Sequence, residues 1–153
     1  MDQVIRYAGF WQRLIAYLID SFLIGSVQLM ILLPFLGVVG LGFLGFEMQD
    51  SPGIILLIVA CCVVWATFGF FTKWLYYALM ESSSQQATVG KIVLRLKVTD
   101  LRGERITFAR ATGRYFGRIL SGLLLGVGFL MAAFTQQKQT LHDIIAATLV
   151  IEK

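Results

Sequence analysis

The chain has 153 residues, of which 58% are hydrophobic and 14% are charged, and its formal net charge is +4. Average soluble domains hold roughly 45–50% apolar and about 25% charged residues, and a small domain buries only about two-thirds of its unfolded surface. The composition therefore excludes a typical soluble enzyme, a nucleic-acid-binding module and a disordered chain, and it predicts one integral membrane domain over residues 1–153.

The first apolar run covers residues 14–46 and carries a single charged residue, Asp20. One helix of that length would measure about 50 Å, whereas the hydrocarbon core of a bilayer is about 30 Å thick. Pro34 and the glycines that follow it are typical helix breakers. We therefore predict a first transmembrane helix over about residues 14–33, followed by a glycine-rich stretch that ends at the far interface.

The second apolar run begins at residue 54 and is closed by Lys73 and Trp74, a pair typical of a membrane interface. Its helix is predicted to continue to about residue 80. The third run, residues 115–134, includes Arg118 and several glycines, so it is weaker. It is predicted to form either a plain third span or a short re-entrant helix.

A small sheet favours the re-entrant alternative. Residues 94–99 alternate apolar and polar side chains, as a half-buried strand does, and residues 104–107 are predicted to return antiparallel to them. A lone hairpin is marginal in water, so a third strand from residues 149–151 of the tail (residues 135–153) would help. The fold class expected is thus an all-α membrane protein with two firm transmembrane helices, a third short or re-entrant helix and a small cytoplasmic β-hairpin.

The distribution of charge predicts the orientation. The segment 47–53 has no Lys or Arg, whereas the predicted loop 81–114 and the start of the third run are basic. The positive-inside rule places this basic loop and the N-terminus in the cytoplasm. Anionic lipid headgroups are the partner that explains the basic residues, and nucleic acid is not expected beside a membrane. These basic residues are Lys91, Arg95, Lys97, Arg102, Arg105, Arg110, Arg114 and Arg118.

Asp20 is the most informative single residue, because a charged side chain inside a membrane span is costly unless it is solvated or paired. Arg13 lies two helical turns earlier, on nearly the same face. In the functional interpretation, Asp20 is a titratable carboxylate in a polar cavity that holds a cation or a proton. In the structural interpretation, it pairs with a basic residue such as Lys73 or Arg118 and locks the helices together.

Arg110, Arg114 and Arg118 recur every four residues on a helix that Thr107 is able to cap. The stripe is interpreted either as an interfacial helix on anionic headgroups or as a helix that turns Arg114 or Arg118 inward towards Asp20.

Other motifs predict no catalysis. A lone His142 supports no metal cluster, and Thr140 followed by Asp143 fits a helix-start capping arrangement. Residues 88–91 lack the first glycine of a phosphate loop. No nucleophile–base pair is evident. The chain is therefore expected not to be an enzyme and to need no cofactor or metal.

Three sequence blocks resemble the RDD family of small multi-pass membrane proteins. They are residues 8–20 (AGFWQRLIAYLID), residues 87–91 (ATVGK) with 96–100 (LKVTD), and residues 141–150 (LHDIIAATLV). They occur in this order and span essentially the whole chain. Ala147 departs from the family, in which glycine is usual at this place in the tail motif.

The resemblance implies a multi-pass protein of a bacterial plasma (inner) membrane. The family is named for one arginine and two aspartates, which map onto Arg13, Asp20 and, for the second aspartate, Asp143 or Asp100. The usual suggestion for the family is transport, with monovalent cation/proton exchange as its specific form.

Two functions are therefore considered. The first is a homo-oligomeric transporter of a monovalent cation or protons, with a polar site at Arg13, Asp20 and Asp143. The second is a non-catalytic accessory or scaffold protein that binds a partner or anionic lipid through the basic loop. The supporting residues of the polar site are expected to be Glu81, Lys91, Arg114, Arg118 and His142.

Overall fold

The computed structural model describes residues 6–44, 52–123 and 127–153. Its two long helices are α1 (Phe10–Leu44) and α2 (Pro52–Ser82). Their stretches Phe10–Gly40 and Ile55–Ser82 are long and apolar enough to cross a membrane, and few of their residues are buried by the protein itself. The two predicted transmembrane helices are thus confirmed, and their exposed apolar side chains suit contact with lipid.

The helix break predicted at Pro34 is wrong, because α1 continues through Pro34 to Leu44. In an apolar environment, a helix satisfies backbone hydrogen bonds within itself, which outweighs the one donor that proline removes. By contrast, α2 begins at Pro52, the first helical position, where the missing N–H costs nothing.

The described chain divides into two compact units. One comprises Phe22–Lys73, and the other comprises Met1–Ser21 with Trp74–Lys153. In the first unit, the rings of Phe35 and Trp65 stack with centroids 6.3 Å apart. The second, which we call the polar unit, contains every short element.

The polar unit contains a broken third apolar segment. Helix α4 (Phe108–Leu123) is followed by α5 (Val127–Phe134), and the two helices are bent by 97° relative to each other. As predicted, Thr107 Oγ1 accepts a hydrogen bond from the backbone N–H of Arg110 (3.3 Å). The prediction of a third short or re-entrant helix is confirmed.

The sheet pairs the basic segment with the tail. Strand β1 (Leu96–Asp100) is antiparallel to β2 (Thr148–Glu152), with Val98 opposite Val150. Two short helices precede these strands, α3 (Val89–Val93) and α6 (Leu141–Ile145). The sheet and the role of the tail were predicted correctly.

The predicted return strand at residues 104–107 is wrong. That stretch forms no strand, and the other edge of β2 is instead bridged by Tyr7. Flanking backbone bonds run from Ala8 N to Val150 O and from Glu152 N to Arg6 O, both 2.9 Å. The N-terminal residues therefore supply the third strand-like partner.

A small apolar core joins the sheet to the helices of the polar unit. Trp74 and Leu94 pack against it. Its buried members are Ala8, Ala78, Leu96, Val98, Ile106, Ala111 and Val150.

Candidate functional site

Asp20 is buried, and its carboxylate is satisfied by three neutral donors. The Tyr76 hydroxyl donates to Oδ1 (2.7 Å), the Thr88 hydroxyl to Oδ2 (2.6 Å) and the Gly90 N–H to Oδ1 (2.7 Å). Asp20 forms no ion pair within the residues described, so the alternative of pairing with a basic residue finds no support there. Three hydrogen bonds compensate for burial of the carboxylate and tie α1 to α2 and α3.

Gly90 allows this close approach of α3 to α1. A Cβ atom on Gly90 would lie 2.1 Å from the carbonyl oxygen of Ala16. The Val89 N–H also donates to the Tyr76 hydroxyl (3.0 Å). The glycine at residue 90 is thus explained by helix packing.

Asp143 lies at the centre of a second, charged arrangement. Arg114 donates from Nε (2.8 Å) and lies with Nη2 at 2.7 Å from the same oxygen, Oδ1. Arg13 Nη1 pairs with Oδ2, which also accepts the backbone N–H of Thr140 (3.2 Å). The predicted capping arrangement of Thr140 and Asp143 is present.

Glu81 is the second buried acid of this arrangement. Its Oε1 lies 2.5 Å from Lys91 Nζ and 3.3 Å from Arg118 Nη2, and its Oε2 lies 2.9 Å from Arg114 Nη1. Arg114 therefore bridges both acids, although it sits on a helix whose charged residues were also open to an interfacial interpretation. We call these six residues the charge cluster: Arg13, Glu81, Lys91, Arg114, Arg118 and Asp143.

Burial and neighbouring charges shift the pKa values of two side chains on α6, Asp143 and His142. Burial by itself raises the pKa of Asp143, but the guanidinium groups of Arg114 and Arg13 outweigh it and hold that pKa well below its usual range. Burial lowers the pKa of His142 well below its usual range, against the opposing effect of Asp143. Near pH 7, Asp143 is therefore an anion and His142 is neutral.

The neutral ring of His142 is held by packing and two hydroxyls. Its Nε2 lies 3.0 Å from Thr140 Oγ1 and its Nδ1 lies 3.5 Å from Ser121 Oγ. The rings of His142 and Phe129 pack edge-to-face, with centroids 5.4 Å apart. This environment supports a structural role beside the charge cluster.

The charge cluster carries more positive than negative charge. Burial lowers the pKa of Lys91 to about 7, because the attraction of Glu81 is opposed by the guanidinium groups of Arg114 and Arg118. Even with Lys91 neutral, three guanidinium groups face two carboxylates. Within these six residues, cations therefore outnumber acids on either side of neutral pH, and the buried carboxylate of Asp20 lies outside the cluster.

Three buried polar atoms near this excess charge make no hydrogen bond to any part of the chain that the structure describes. They are Arg13 Nη2, Arg118 Nη1 and the hydroxyl of Tyr77. The Arg118 guanidinium stands over the Tyr77 ring at 4.2 Å from its centroid. Buried donors without partners are costly, so these atoms call for an acceptor.

A cavity of about 400 Å³ adjoins the charge cluster within the polar unit. Its wall includes Arg13, Asp20, Tyr77, Lys91, Arg114 and Arg118 on the polar side. Apolar side chains form much of the remainder: Phe10, Leu14, Phe129, Leu130 and Val150. Such a cavity combines cationic donors with hydrocarbon surface.

The structure brings together most of the residues singled out in the sequence. Arg13 and Asp143 meet within the charge cluster, and His142 lies next to it. Asp20 is separate from the charge cluster, because it lines the same cavity but accepts its hydrogen bonds from neutral groups. Arg114 does turn inward, but it pairs with Glu81 and Asp143 and not with Asp20.

Sequence reasoning missed the donors around Asp20. Tyr76, Thr88 and Gly90 carry no charge, and a hydroxyl or backbone N–H leaves no distinctive pattern in a single sequence. Residues 88–91 are noted in the sequence as an incomplete phosphate loop and as part of a family block, but not as donors to Asp20. Tyr77, with its unpartnered hydroxyl, was also missed.

Sequence reasoning also missed an internal repeat. Thr88 and Thr140 are N-cap residues with similar backbone angles, and each precedes a five-residue helix. Each helix is followed by a C-cap residue, a residue with positive φ (Arg95, 55°; Ala147, 50°) and a five-residue strand. Corresponding residues pair directly at the centre of the sheet, which relates the two segments by an approximate two-fold axis.

Together, the fold and the charge cluster define a small membrane protein with a buried, electropositive site. The RDD family model matches residues 7–147, and the chain belongs to the RDD family. The uncharacterized protein YxaI of Bacillus subtilis (strain 168) is 35% identical over 148 residues, covering 95% of this chain and 97% of that protein. The uncharacterized membrane protein YteJ of the same organism is 27% identical over 157 residues, covering 96% and 82%. No solved structure matches this chain.

Proposed function

We propose that this protein is a non-enzymatic membrane protein that binds an anion in the cavity beside the charge cluster. The observation that carries the proposal is the pair of unpartnered guanidinium nitrogens, Arg13 Nη2 and Arg118 Nη1, on residues of the cavity wall. They belong to a cluster whose cations outnumber its acids.

The chemistry of arginine supports an oxyanion as the ligand. Guanidinium groups present planar pairs of donors that match phosphate and carboxylate oxygens, and charge-assisted hydrogen bonds of this kind are roughly twice as strong as neutral ones. An anion in the cavity would also offset the excess buried positive charge, which is costly when it is unpaired. The proposal keeps a binding function but moves it from the basic loop 81–114 to the cavity, because the unpartnered guanidinium nitrogens belong to Arg13 and Arg118.

Anion binding is testable on purified protein in an uncharged detergent. Inorganic phosphate, compared with chloride at equal ionic strength, is expected to raise the Tm, since a ligand at ten times its Kd adds about 1.4 kcal/mol to stability. Arg118→Gln is expected to abolish the rise. Arg110→Gln is the matched control, because Arg110 lies one turn from Arg114 on the same helix but is exposed and, among the residues that the structure describes, forms its ion pair with Asp100 (3.5 Å).

Equal phosphate responses in the parent protein, Arg118→Gln and Arg110→Gln would show that the effect does not arise in the cavity. A parent protein with no response at any phosphate concentration would count against a phosphate-type anion site.

Cation/proton transport is the second candidate, and the buried carboxylate of Asp20 on the cavity wall favours it. Two features weigh against it. Both oxygens of Asp20 already accept hydrogen bonds, and the neighbouring charge cluster repels cations. In proteoliposomes with an internal pH dye, transport predicts that a Na⁺ or K⁺ gradient moves protons and that Asp20→Asn stops this movement.

We also propose a bacterial inner membrane as the location, with the N-terminus and the basic segment in the cytoplasm. The lack of Lys and Arg at residues 47–53 and the basic residues after residue 81 support this orientation. Contact with anionic headgroups, assembly as a homo-oligomer and the absence of nucleic-acid binding stay predictions.

A further inference from the structure

We propose that the anion is the head of a membrane amphiphile, an anionic lipid whose phosphate meets the charge cluster and whose hydrocarbon part lies against the apolar wall of the cavity. This inference rests on the proposed function and names the class of its ligand.

The composition of the wall is the first argument. A free inorganic anion is surrounded by donors when it is bound, yet much of this cavity is lined by aromatic and aliphatic side chains, among them Phe10, Leu14 and Phe129. These side chains offer no hydrogen bond. A ligand with one charged end and one apolar end uses both parts of the wall, and burial of its hydrocarbon is favourable because it removes apolar surface from water.

The second argument is the location of the exposed residues of the cavity wall. Tyr17 on α1 and Leu130 on α5 line the cavity, and they are 48% and 49% exposed. Two elements of the cavity wall therefore also carry exposed surface. Helix α1 is long and apolar enough to cross a membrane, and α5 belongs to the broken apolar segment. In a bilayer, such surfaces meet lipid, so a lipid molecule is able to enter from the side.

The third argument is the arrangement of donors. The unpartnered atoms of Arg13, Arg118 and Tyr77 belong to three separate elements, and all three residues line the cavity. A phosphate group has several acceptor oxygens and is able to accept hydrogen bonds from more than one of these donors. The cavity volume of about 400 Å³ also exceeds what a bare phosphate fills, and it falls in the usual range of small-molecule sites, about 300–1,000 Å³.

The experiment compares three probes on the purified full chain in uncharged detergent. The probes are a short-chain phosphatidylglycerol, glycerol phosphate as the head alone, and a phosphatidylcholine of the same chain length. The anionic lipid is expected to raise the Tm at a concentration at least tenfold lower than glycerol phosphate does, and the phosphatidylcholine is expected to have little effect.

Two pairs of variants localise the effect. Leu130→Ser is expected to weaken the response to the lipid at least threefold and to leave the response to glycerol phosphate unchanged, whereas Leu123→Ser on α4, exposed and outside the cavity wall, changes neither. Arg118→Lys keeps a positive charge but not the forked donors, and it is expected to weaken both responses. Arg118→Lys also replaces Arg118→Gln as the test variant if Arg118→Gln fails to fold.

The outcomes distinguish failure of this lipid inference from failure of the proposed anion-binding function. If glycerol phosphate and the lipid act at the same concentration, and Arg118 is needed for both, the anion site stands and the lipid inference is overturned. If phosphatidylcholine matches phosphatidylglycerol, a hydrocarbon site without charge recognition replaces it. If no anionic probe acts, both proposals fall.

Discussion

Lys91 and Asp143 occupy corresponding places in the repeat, each as the third residue of a five-residue helix, and both are buried in the charge cluster with opposite charge. Lys91 pairs with Glu81, and Asp143 pairs with Arg13 and Arg114. One structural unit, used twice, thus contributes a cation from one copy and an anion from the other. Their substitution is expected to have different consequences.

Lys91 is expected to make stability depend on pH above neutrality. Its pKa is about 7 in the folded protein and 10.5 in its ordinary state, so the unfolded chain binds more protons between these values. The free energy of unfolding should therefore rise with pH from about 7 to about 10.5. Lys91→Met should remove that part of the slope in Tm measured from pH 7 to 9.5. Lys97→Met is the comparison, and an unchanged slope in Lys91→Met would contradict the assignment.

Asp143→Asn is expected to be strongly destabilising. It leaves Arg13 without its carboxylate partner and Arg114 with Glu81 alone. Removing one partner of a buried ion pair costs about 3–5 kcal/mol. The exposed pair of Asp100 and Arg110 provides the contrast, since Asp100→Asn should cost about 1 kcal/mol or less. Chemical unfolding of both variants measures the difference. Similar losses would show that burial of the charge cluster contributes little.

Asp20→Asn is expected to be milder than Asp20→Ala. The amide oxygen of asparagine is able to keep the hydrogen bonds of Tyr76 and Gly90, and the Thr88 hydroxyl is able to accept from the amide nitrogen. Loss of the whole side chain leaves buried donors unpaired, at about 1–3 kcal/mol for each group. Thermal unfolding distinguishes the two variants. Equal losses would indicate that the negative charge itself, and not the hydrogen bonds, is required.

Gly90→Ala is expected to cost about 3 kcal/mol or more, because overpacking against backbone cannot be relieved by a side-chain rotation. The added Cβ would lie 2.1 Å from the Ala16 oxygen. Gly113→Ala on α4 is the matched control. No atom lies within 4 Å of its added Cβ, and alanine in a helix should stabilise by up to about 1 kcal/mol. Expression level and Tm give the readout, and a stable Gly90→Ala variant would refute the packing argument.

Ala147→Gly is expected to stabilise the protein by about 0.5–1 kcal/mol, because Ala147 has a φ of 50°, where a Cβ atom is strained. Its neighbour Ala146 has a φ of −88°. Ala146→Gly should therefore destabilise, since glycine there only adds freedom to the unfolded chain. The two Tm shifts should have opposite signs.

Hydrophobic runs and basic clusters were enough to predict the membrane class, both long helices and the broken third segment. The alternation at residues 94–99 and the apolar tail also predicted their pairing. Pro34 misled the prediction, because a single proline is a weaker break in a long apolar helix than its intrinsic propensity indicates. The return strand at residues 104–107 failed, because the Val98 N–H at the free edge of β1 donates instead to the carbonyl oxygen of Gln86 (2.7 Å). The third partner of the sheet, Tyr7, lies at the other edge of β2 and far away in sequence.

The charged residues of the candidate site were named from the sequence, but their pairings and the neutral donors around Asp20 were not. Arg13 and Asp143 are far apart in sequence, and only the folded chain brings them into contact. Asp20 attracted notice as a buried charge, but neutral hydroxyl and backbone donors surround it. Geometry of this kind depends on how α1, α3 and α6 pack, which spacing along one sequence does not specify.

The bridge between Tyr7 and Ile151 has a consequence for topology. It places Tyr7 beside Ile151, so these two residues must occupy the same compartment whenever the protein is embedded in a bilayer. Between them the polypeptide therefore makes an even number of complete crossings, and probes attached near Tyr7 and near Ile151 should be reached from the same face of the membrane.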